Sequence, residues 1–391
     1  KDFSINSFMP KINHIADFES LGGVQTYLYS LKKKYPNFYS LYNLSNKVLD
    51  IYKENPSYNF TNIFSLKFFL EDQKNNFFVV HNLILSKKWI FIKLILKLKN
   101  CKIIYHEHGI AWHKPSKNKI IYKRRIEKIE KIIVNSNATK ILLNSFYDIK
   151  KNVEVLSSPV CIYEELNNDI VPYNNINKTK KLNSYPKREE QKLIIGFIGR
   201  LEEHKNPQFL IELAKIFNKK YKREIEIEFI GSGALKKNLK IKCLEENIKA
   251  TFWGRVFCRR DRVNRWDFCI VPSIREPLGL VPGEMALLDV VTLASNVDGL
   301  NEMYPSECDL LLLKMIKDNT QITDNYQYIP DQNSLEKGYW PCIDDCAKKI
   351  NLLIENKEKK YELLKKHRDF IFNNFDILKH SKKLFNFVSS N

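Results

Sequence analysis

The chain reads as an α/β protein built from two doubly wound, Rossmann-like domains in tandem, and three observations predict this. Short apolar runs alternate with longer segments of helical period, the pattern of parallel strands joined by crossover helices. The alternation lapses over residues 163–192, where Asn, Lys and Pro dominate, and then restarts. A length of 391 residues, 44% hydrophobic and 28% charged, is enough for two or three domains with buried cores and is not the composition of a disordered chain.

The elements follow in order. Strands are expected at 12–16, 77–80, 102–105, 132–134 and 153–156, each a mostly apolar run of three to five residues. After the linker they recur at 193–198, 225–230, 250–253, 268–271 and 290–294, each followed by a helix-compatible stretch. Residues 341–388 continue as helices with Lys-rich faces, and the last of them is long enough to return to the first domain. The expected domains are therefore 1–175, with helix 372–391 crossing back, and 176–371.

Composition bounds the function. Lys and Arg total 64 against 45 Asp and Glu, a net charge of +19, which admits nucleic acid, an anionic membrane surface or acidic substrates. Lys, Asn and Ile are abundant along the whole chain, so basicity discriminates weakly. No helix-turn-helix, zinc-finger or RNP-type aromatic strand is present, and nucleic acid is not an expected partner. The eight cysteines form no C-x-x-C pair, which fits reduced thiols in a cytoplasmic chain. No secretory signal is visible. The most apolar stretch, 89–98, is interrupted by Lys93 and Lys97 and is too short to span a bilayer.

Open parallel sheets bind ligands at the carboxyl ends of their strands, so the informative residues should follow the apolar runs. After the first run comes Gly22-Gly23, opening a helix whose N-terminal amides could meet a phosphate; a tight strand-to-helix turn would need glycine in any case. Strand 102–105 runs into His106-Glu107-His108-Gly109, where a neutral imidazole could bond a sugar hydroxyl, on the expectation that histidines two apart face opposite ways and at most one points into a cleft. The second domain opens with Gly199-Arg200-Leu201, then Lys205, two cations in one loop suited to a diphosphate. Gly231-Ser232-Gly233 follows the next strand. Strand 268–271 leads to Glu276-Pro277-Leu278-Gly279-Leu280 and, on the helix beyond, Glu284.

Taken together, Gly22-Gly23, His-Gly after a strand, Gly-Arg-Leu-x3-Lys, Gly-Ser-Gly, Pro-Ser-x2-Glu-Pro-x-Gly-Leu-Val and Glu-x7-Glu resemble the family-4 retaining glycosyltransferases of the GT-B fold, from about Lys11 to the C-terminal helix. The resemblance implies two Rossmann-like domains facing across a cleft, the first on the acceptor side and the second binding a nucleotide sugar, UDP- or GDP-linked. It implies Arg200 and Lys205 on the donor diphosphate, Glu276 on the sugar, Glu284 on the ribose, and Gly23 near the phosphates. Arg255 and Val256 would border the base. The catalytic candidates are Glu276, His108 and His106. The donor-binding candidates add Gly22, Gly231, Gly233, Leu278, Gly279 and Leu280. No cofactor is expected, since the nucleotide sugar is the substrate, and no Asp-x-Asp motif follows a strand, so no metal is expected either. The acceptor would be a saccharide or lipid-linked saccharide of surface polysaccharide biosynthesis. A GT-B-like epimerase or phosphorylase would share this architecture.

Three departures from the family pattern stand out. Asp289 and Val291 occupy positions where Gly and Pro are usual, Asp298-Gly299 replaces Gly-Gly, and Ser157-Ser158-Pro159-Val160 replaces Asn-Gly-Val-Asp. Weaker or rearranged phosphate contacts are expected around Asp298. Finally, residues 87–99 combine five lysines with Trp89 and a run of apolar residues. This is either a helix packed on the sheet with snorkelling lysines, or a basic rim, with Lys123, Arg124, Arg125 and Lys128, that rests on an anionic inner membrane.

Overall fold

The structure, a computed structural model, describes residues 11–18, 22–44, 61–65, 68, 76–161, 163–164, 169–170, 192–256, 260–320 and 326–390. Of the segments read above, most of the linker and one cysteine, Cys258, lie outside them. The chain divides into two compact units, Lys1–Cys161 with Phe375–Asn391, and Ile162–Asn374.

Unit 1 holds a seven-stranded, all-parallel sheet. Its strands are β1 (Ile12–Ala16), β2 (Tyr39–Asn43), β3 (Thr61–Asn62), β4 (Phe77–His81), β5 (Lys102–Glu107), β6 (Lys131–Val134) and β7 (Val153–Val155), in the order β3-β2-β1-β4-β5-β6-β7. Every residue of β1 is buried, as a central parallel strand covered on both faces requires. β2 and β3 were not legible in the pattern: Tyr-Ser-Leu-Tyr-Asn neither alternates nor runs apolar, and β3 is two residues long. Helices α1 (Gly23–Lys34), α2 (Lys88–Leu98), α3 (Pro115–Ile126) and α4 (Asn137–Ile141) are the crossovers. α3 carries Pro115 at its first position, where the missing N–H costs nothing. The C-terminal helix Ile377–Ser389 belongs to this unit. It is capped by Asp376, whose carboxylate accepts from the Leu378 and Lys379 N–H groups, and its Phe385 packs on Tyr39.

Unit 2 holds a six-stranded parallel sheet. A short hairpin, β8 (Tyr163–Glu164) with β9 (Asp169–Ile170), precedes it. The sheet strands are β10 (Lys192–Ile198), β11 (Glu224–Ile230), β12 (Ala250–Gly254), β13 (Phe268–Val271), β14 (Thr292–Ser295) and β15 (Leu312–Leu313), ordered β12-β11-β10-β13-β14-β15. Helices α5 (Phe209–Ile216), α6 (Lys236–Glu245), α7 (Arg260–Val263) and α8 (Val281–Leu287) connect them. The doubtful passage after α8 resolves simply. Asp289 takes the left-handed conformation that a glycine would supply at a helix end, φ 61°, and accepts a 2.5 Å hydrogen bond from Arg368.

Past β15 the sequence pattern gave no warning of two nested antiparallel pairs: β16 (Met315–Lys317) with β19 (Tyr339–Pro341), and β17 (Gln327–Ile329) with β18 (Ser334–Glu336). Val297, Met315, Ile329 and Tyr339 form the buried cluster that fastens them beside the end of β14. Helices α9 (Ile343–Glu355) and α10 (Lys357–Asn374) complete the unit.

Candidate active site

The second-unit candidates gather at the carboxyl ends of β10, β11 and β13. Gly231 lies at φ 137°, and a Cβ there would fall 1.8 Å from the Gly199 carbonyl oxygen; only glycine lets the two loops meet. The Leu201 N–H donates to the Ser232 carbonyl at 3.1 Å, and a Cβ on Gly233 would strike the Leu201 carbonyl at 2.4 Å. The Gly-Ser-Gly turn is thus required first by loop-on-loop packing.

Glu276 follows β13 in a loop whose backbone is tied on all sides. The Ile274 N–H donates to the His204 carbonyl at 2.9 Å, and the Ile274 carbonyl accepts from the buried Gln327 side chain at 2.6 Å. The Glu276 N–H donates to Asp298 Oδ2 at 2.7 Å, and its carbonyl accepts from the Gly299 N–H at 3.2 Å. The Glu276 carboxylate forms an ion pair with Lys205 and lies 3.4 Å from Ser273 Oγ. Gly279, at φ 76°, sits so close that a Cβ would lie 2.6 Å from Glu276 Cγ.

Lys205 and Glu276, expected on diphosphate and sugar respectively, are therefore paired with each other. Arg200 is 63% exposed, with Nη1 2.9 Å from Glu202 and Nη2 3.3 Å from His204 Nε2. Leu278 is buried, so of this residue only the backbone can serve a ligand, while Gly279, Leu280 and Glu284 are half-buried. Arg255 is exposed and Val256 half-buried after β12.

In unit 1 the parallel register sets His81 of β4 beside His106 of β5. The expectation that His106 and His108 point apart is corrected: their ring centroids are 3.8 Å apart, because residues two apart on a strand share a face. His14 Nδ1 bonds His81 Nε2, and His81 Nδ1 bonds His108 Nε2, both at 2.9 Å. His106 is fully buried and neither ring nitrogen has a partner among the described residues. His108 keeps some exposure. Burial, reinforced by His380, pushes His14 and His108 down to about 3, and burial lowers His380 to about 4. His380 bonds the Tyr27 hydroxyl and the Ser157 carbonyl, both at 2.9 Å, so the unusual Ser157 segment is held by the C-terminal helix.

Ring nitrogens of His81, His106 and His108 lie within 4.8 Å of one another, close enough for one metal ion. Two of the three histidines are spent on each other, and Glu107 turns both oxygens to Tyr105, Tyr122 and the Gly109 and Ala111 amides, so the cluster has no carboxylate of its own to balance a dication. Gly22 precedes α1, and Gly23 has open space where a Cβ would be.

Two Rossmann-like sheets, with Gly-Arg and Glu-x7-Glu loops at strand carboxyl ends, make up a GT-B-like fold. Residues 177–307 match the family described as glycosyl transferases group 1. The fold matches Anabaena Alr3699/HepE, solved in complex with UDP and glucose, with a TM-score of 0.70 at 14% identity over 98% of this chain and 100% of that one. It also matches a glycosyltransferase from Rickettsia africae (0.68, 15%, 98% and 100%) and sucrose-phosphate synthase from Thermosynechococcus elongatus (0.67, 14%, 96% and 98%). No curated protein sequence matches. The family match covers residues 177–307 and falls within the second unit.

Proposed function

We propose that the chain transfers a hexosyl group, with retention, from UDP- or GDP-sugar to a saccharide or lipid-linked saccharide acceptor of surface polysaccharide biosynthesis. The observation that supports this most is the Lys205–Glu276 pair, with Arg200 on the same loop as Lys205. A fixed cation and a carboxylate at adjoining strand ends suit a diphosphate and the sugar attached to it. HepE, which shares the fold, was solved with UDP-glucose, and the likewise similar WaaB is a lipopolysaccharide outer core galactosyltransferase.

On this reading the glycosidic bond to phosphate breaks as the sugar becomes oxocarbenium-like and the diphosphate gains charge. Lys205 releases Glu276 to meet that charge, Arg200 joins it, and Glu276 turns to the sugar; preorganised cations act most strongly where water is excluded. The acceptor hydroxyl attacks on the face the diphosphate leaves, and the leaving phosphate oxygen takes its proton. Glu276 stabilises and orients without forming a covalent bond, unlike the paired carboxylates of hydrolases. The neutral His108 bonds a sugar hydroxyl, Gly23 leaves room for phosphate, and Glu284 takes the ribose. The chain's own cations do the work a metal would do, so activity should survive chelation.

The acceptor reading is sharpened by α2. Trp89, Ile92 and Leu96 face the core, whereas Ile90, Phe91, Leu94 and Leu98 are 55% to 77% exposed. The apolar stripe points outward, opposite to a helix that merely packs on the sheet. At 100° per residue Lys93 and Lys97 flank one side of the stripe and Lys88 and Lys99 the other. Partial burial and the nearness of Lys97, Lys128 and Lys151 lower the pKa of Lys93. A basic rim around exposed apolar side chains suits an anionic lipid surface at the inner face of the cytoplasmic membrane. No described helix is long and apolar enough to cross a membrane.

The test is a panel of UDP-, GDP- and ADP-sugars screened by thermal shift, followed by nucleotide release with and without saccharide acceptors. Release that requires an acceptor is expected. Acceptor-independent epimerisation, or no donor binding at all, would sink the reading.

A further inference from the structure

Asp298 is fully buried at the turn after β14, in a left-handed conformation, φ 50°, that aspartate tolerates better than most residues. One carboxylate oxygen accepts from the Glu276 N–H and the other from the Tyr328 N–H, each at 2.7 Å. The backbone repeats both links: the Asp298 N–H donates to the Tyr328 carbonyl at 2.8 Å, and the Gly299 N–H to the Glu276 carbonyl at 3.2 Å. Gln327, also buried, ties the Ile274 and Tyr339 carbonyls and accepts from the Tyr339 N–H. The β17–β18 hairpin is thereby coupled to the Glu276 loop through two side chains.

We infer that Asp298 is a positioning residue for Glu276: its carboxylate, clamped between two backbone N–H groups, holds the Glu276 loop in the pose that presents the glutamate to the sugar. This rests on the reading of Glu276 as the sugar-contacting residue. A glycine at this position would keep the turn and lose both side-chain bonds, so the Asp-Gly departure supplies a clamp that a Gly-Gly pair lacks. Accepting two N–H donors asks for the ionised carboxylate, while burial opposes ionisation and raises the pKa to about 7. Arg275 favours the charge and Glu276 opposes it; Lys205 pairs with Glu276, and Glu302 lies near Tyr328 of the hairpin.

The test compares wild type, Asp298→Asn, Asp298→Ala and Glu276→Gln with whichever donor the panel identifies. Asn can accept only one of the two N–H groups. Asp298→Asn should lower kcat at least tenfold, leave the Kd of the bare nucleoside diphosphate within twofold, and melt within about 3 °C of wild type, since it removes a buried charge. The acidic limb of the wild-type kcat profile should lie near pH 7 and vanish in Asp298→Asn. A wild-type kcat and profile in Asp298→Asn, with Glu276→Gln inactive, would overturn the clamp and leave the donor reading standing. An active Glu276→Gln would overturn that reading itself. Parallel losses of kcat, nucleotide affinity and melting temperature would reduce Asp298 to a structural role and also overturn the inference.

Discussion

The two sheets meet the same architectural problem with opposite chemistry. In and just beyond β1, β4 and β5, unit 1 collects His14, His81, His106 and His108, held neutral by burial and bonded largely to one another. At the ends of β10, β13 and β14, unit 2 collects Lys205, Glu276 and Asp298, with carboxylates matched to a cation or to backbone N–H groups. A buried charge is tolerable only when paired. The difference teaches that burial selects neutral side chains in one unit and compensated charges in the other; on the proposed function the first suits uncharged hydroxyls and the second a group that gains negative charge.

The comparison breaks most visibly at Glu276. Glu276→Ala should lower kcat/KM by more than a hundredfold, about 2.7 kcal/mol or more of transition-state stabilisation, with an unchanged melting temperature. A loss below about threefold would mean that the charged site is not where transfer occurs.

A smaller effect is expected at the cations. Lys205→Ala and Arg200→Ala should each weaken UDP, GDP or ADP binding about tenfold by calorimetry, roughly 1.4 kcal/mol, with Lys205 the larger because Arg200 is far more exposed. Unchanged dissociation constants for every nucleotide that binds would place the diphosphate elsewhere.

Acidification sharpens the contrast, because the two regions respond with opposite sign. The unit 1 histidines have folded pKa values below the ordinary 6.5, so the unfolded chain takes up protons first. Their stability is complete above pH 6.5 and is lost as pH falls towards 4, by at most about 1.4 kcal/mol per pH unit for each histidine. Asp298, raised to about 7, binds its proton first in the folded state, so its burial cost is present above pH 7 and relieved on the way down to about 4. Hydrogen exchange at pH 7 and 5, corrected for intrinsic rates, should show β4 and β5 losing protection before β13 and β14. The reverse order would erase the distinction.

The smallest effect concerns α2. Phe91→Ser with Leu94→Ser should leave turnover on a soluble acceptor within twofold and reduce sedimentation with anionic vesicles severalfold at low salt. Wild type should bind neutral vesicles little. Equal partitioning to both vesicle types, or none to either, would favour a soluble acceptor.

Much of this was legible in the linear chain. All ten strands expected from apolar runs are present, because parallel strands covered on both faces are rich in apolar residues and so announce themselves. The glycines, Arg200, Lys205 and Glu276 could be placed at strand ends for the same reason. What stayed hidden were elements whose stability is borrowed from neighbours: β2, β3 and β15, and the hairpins between 315 and 341, which are too short or too polar to show a period. The histidine cluster left a faint trace, since His81 and His106 each directly follow a predicted strand, but only the β4–β5 register sets them side by side.

By itself, then, the sequence determined the α/β class, the tandem arrangement and the residue types at the strand ends, since these follow from local periodicity and from turn chemistry. Only the tertiary structure decided who partners whom. Asp298 read as a defect in a glycine pair until its carboxylate was found 2.7 Å from an amide 22 positions earlier in the chain, and Lys205 met Glu276 across 71 positions. Such bonds join segments distant in sequence, and hydrogen bonding is set by position in space, which no local pattern of residues encodes.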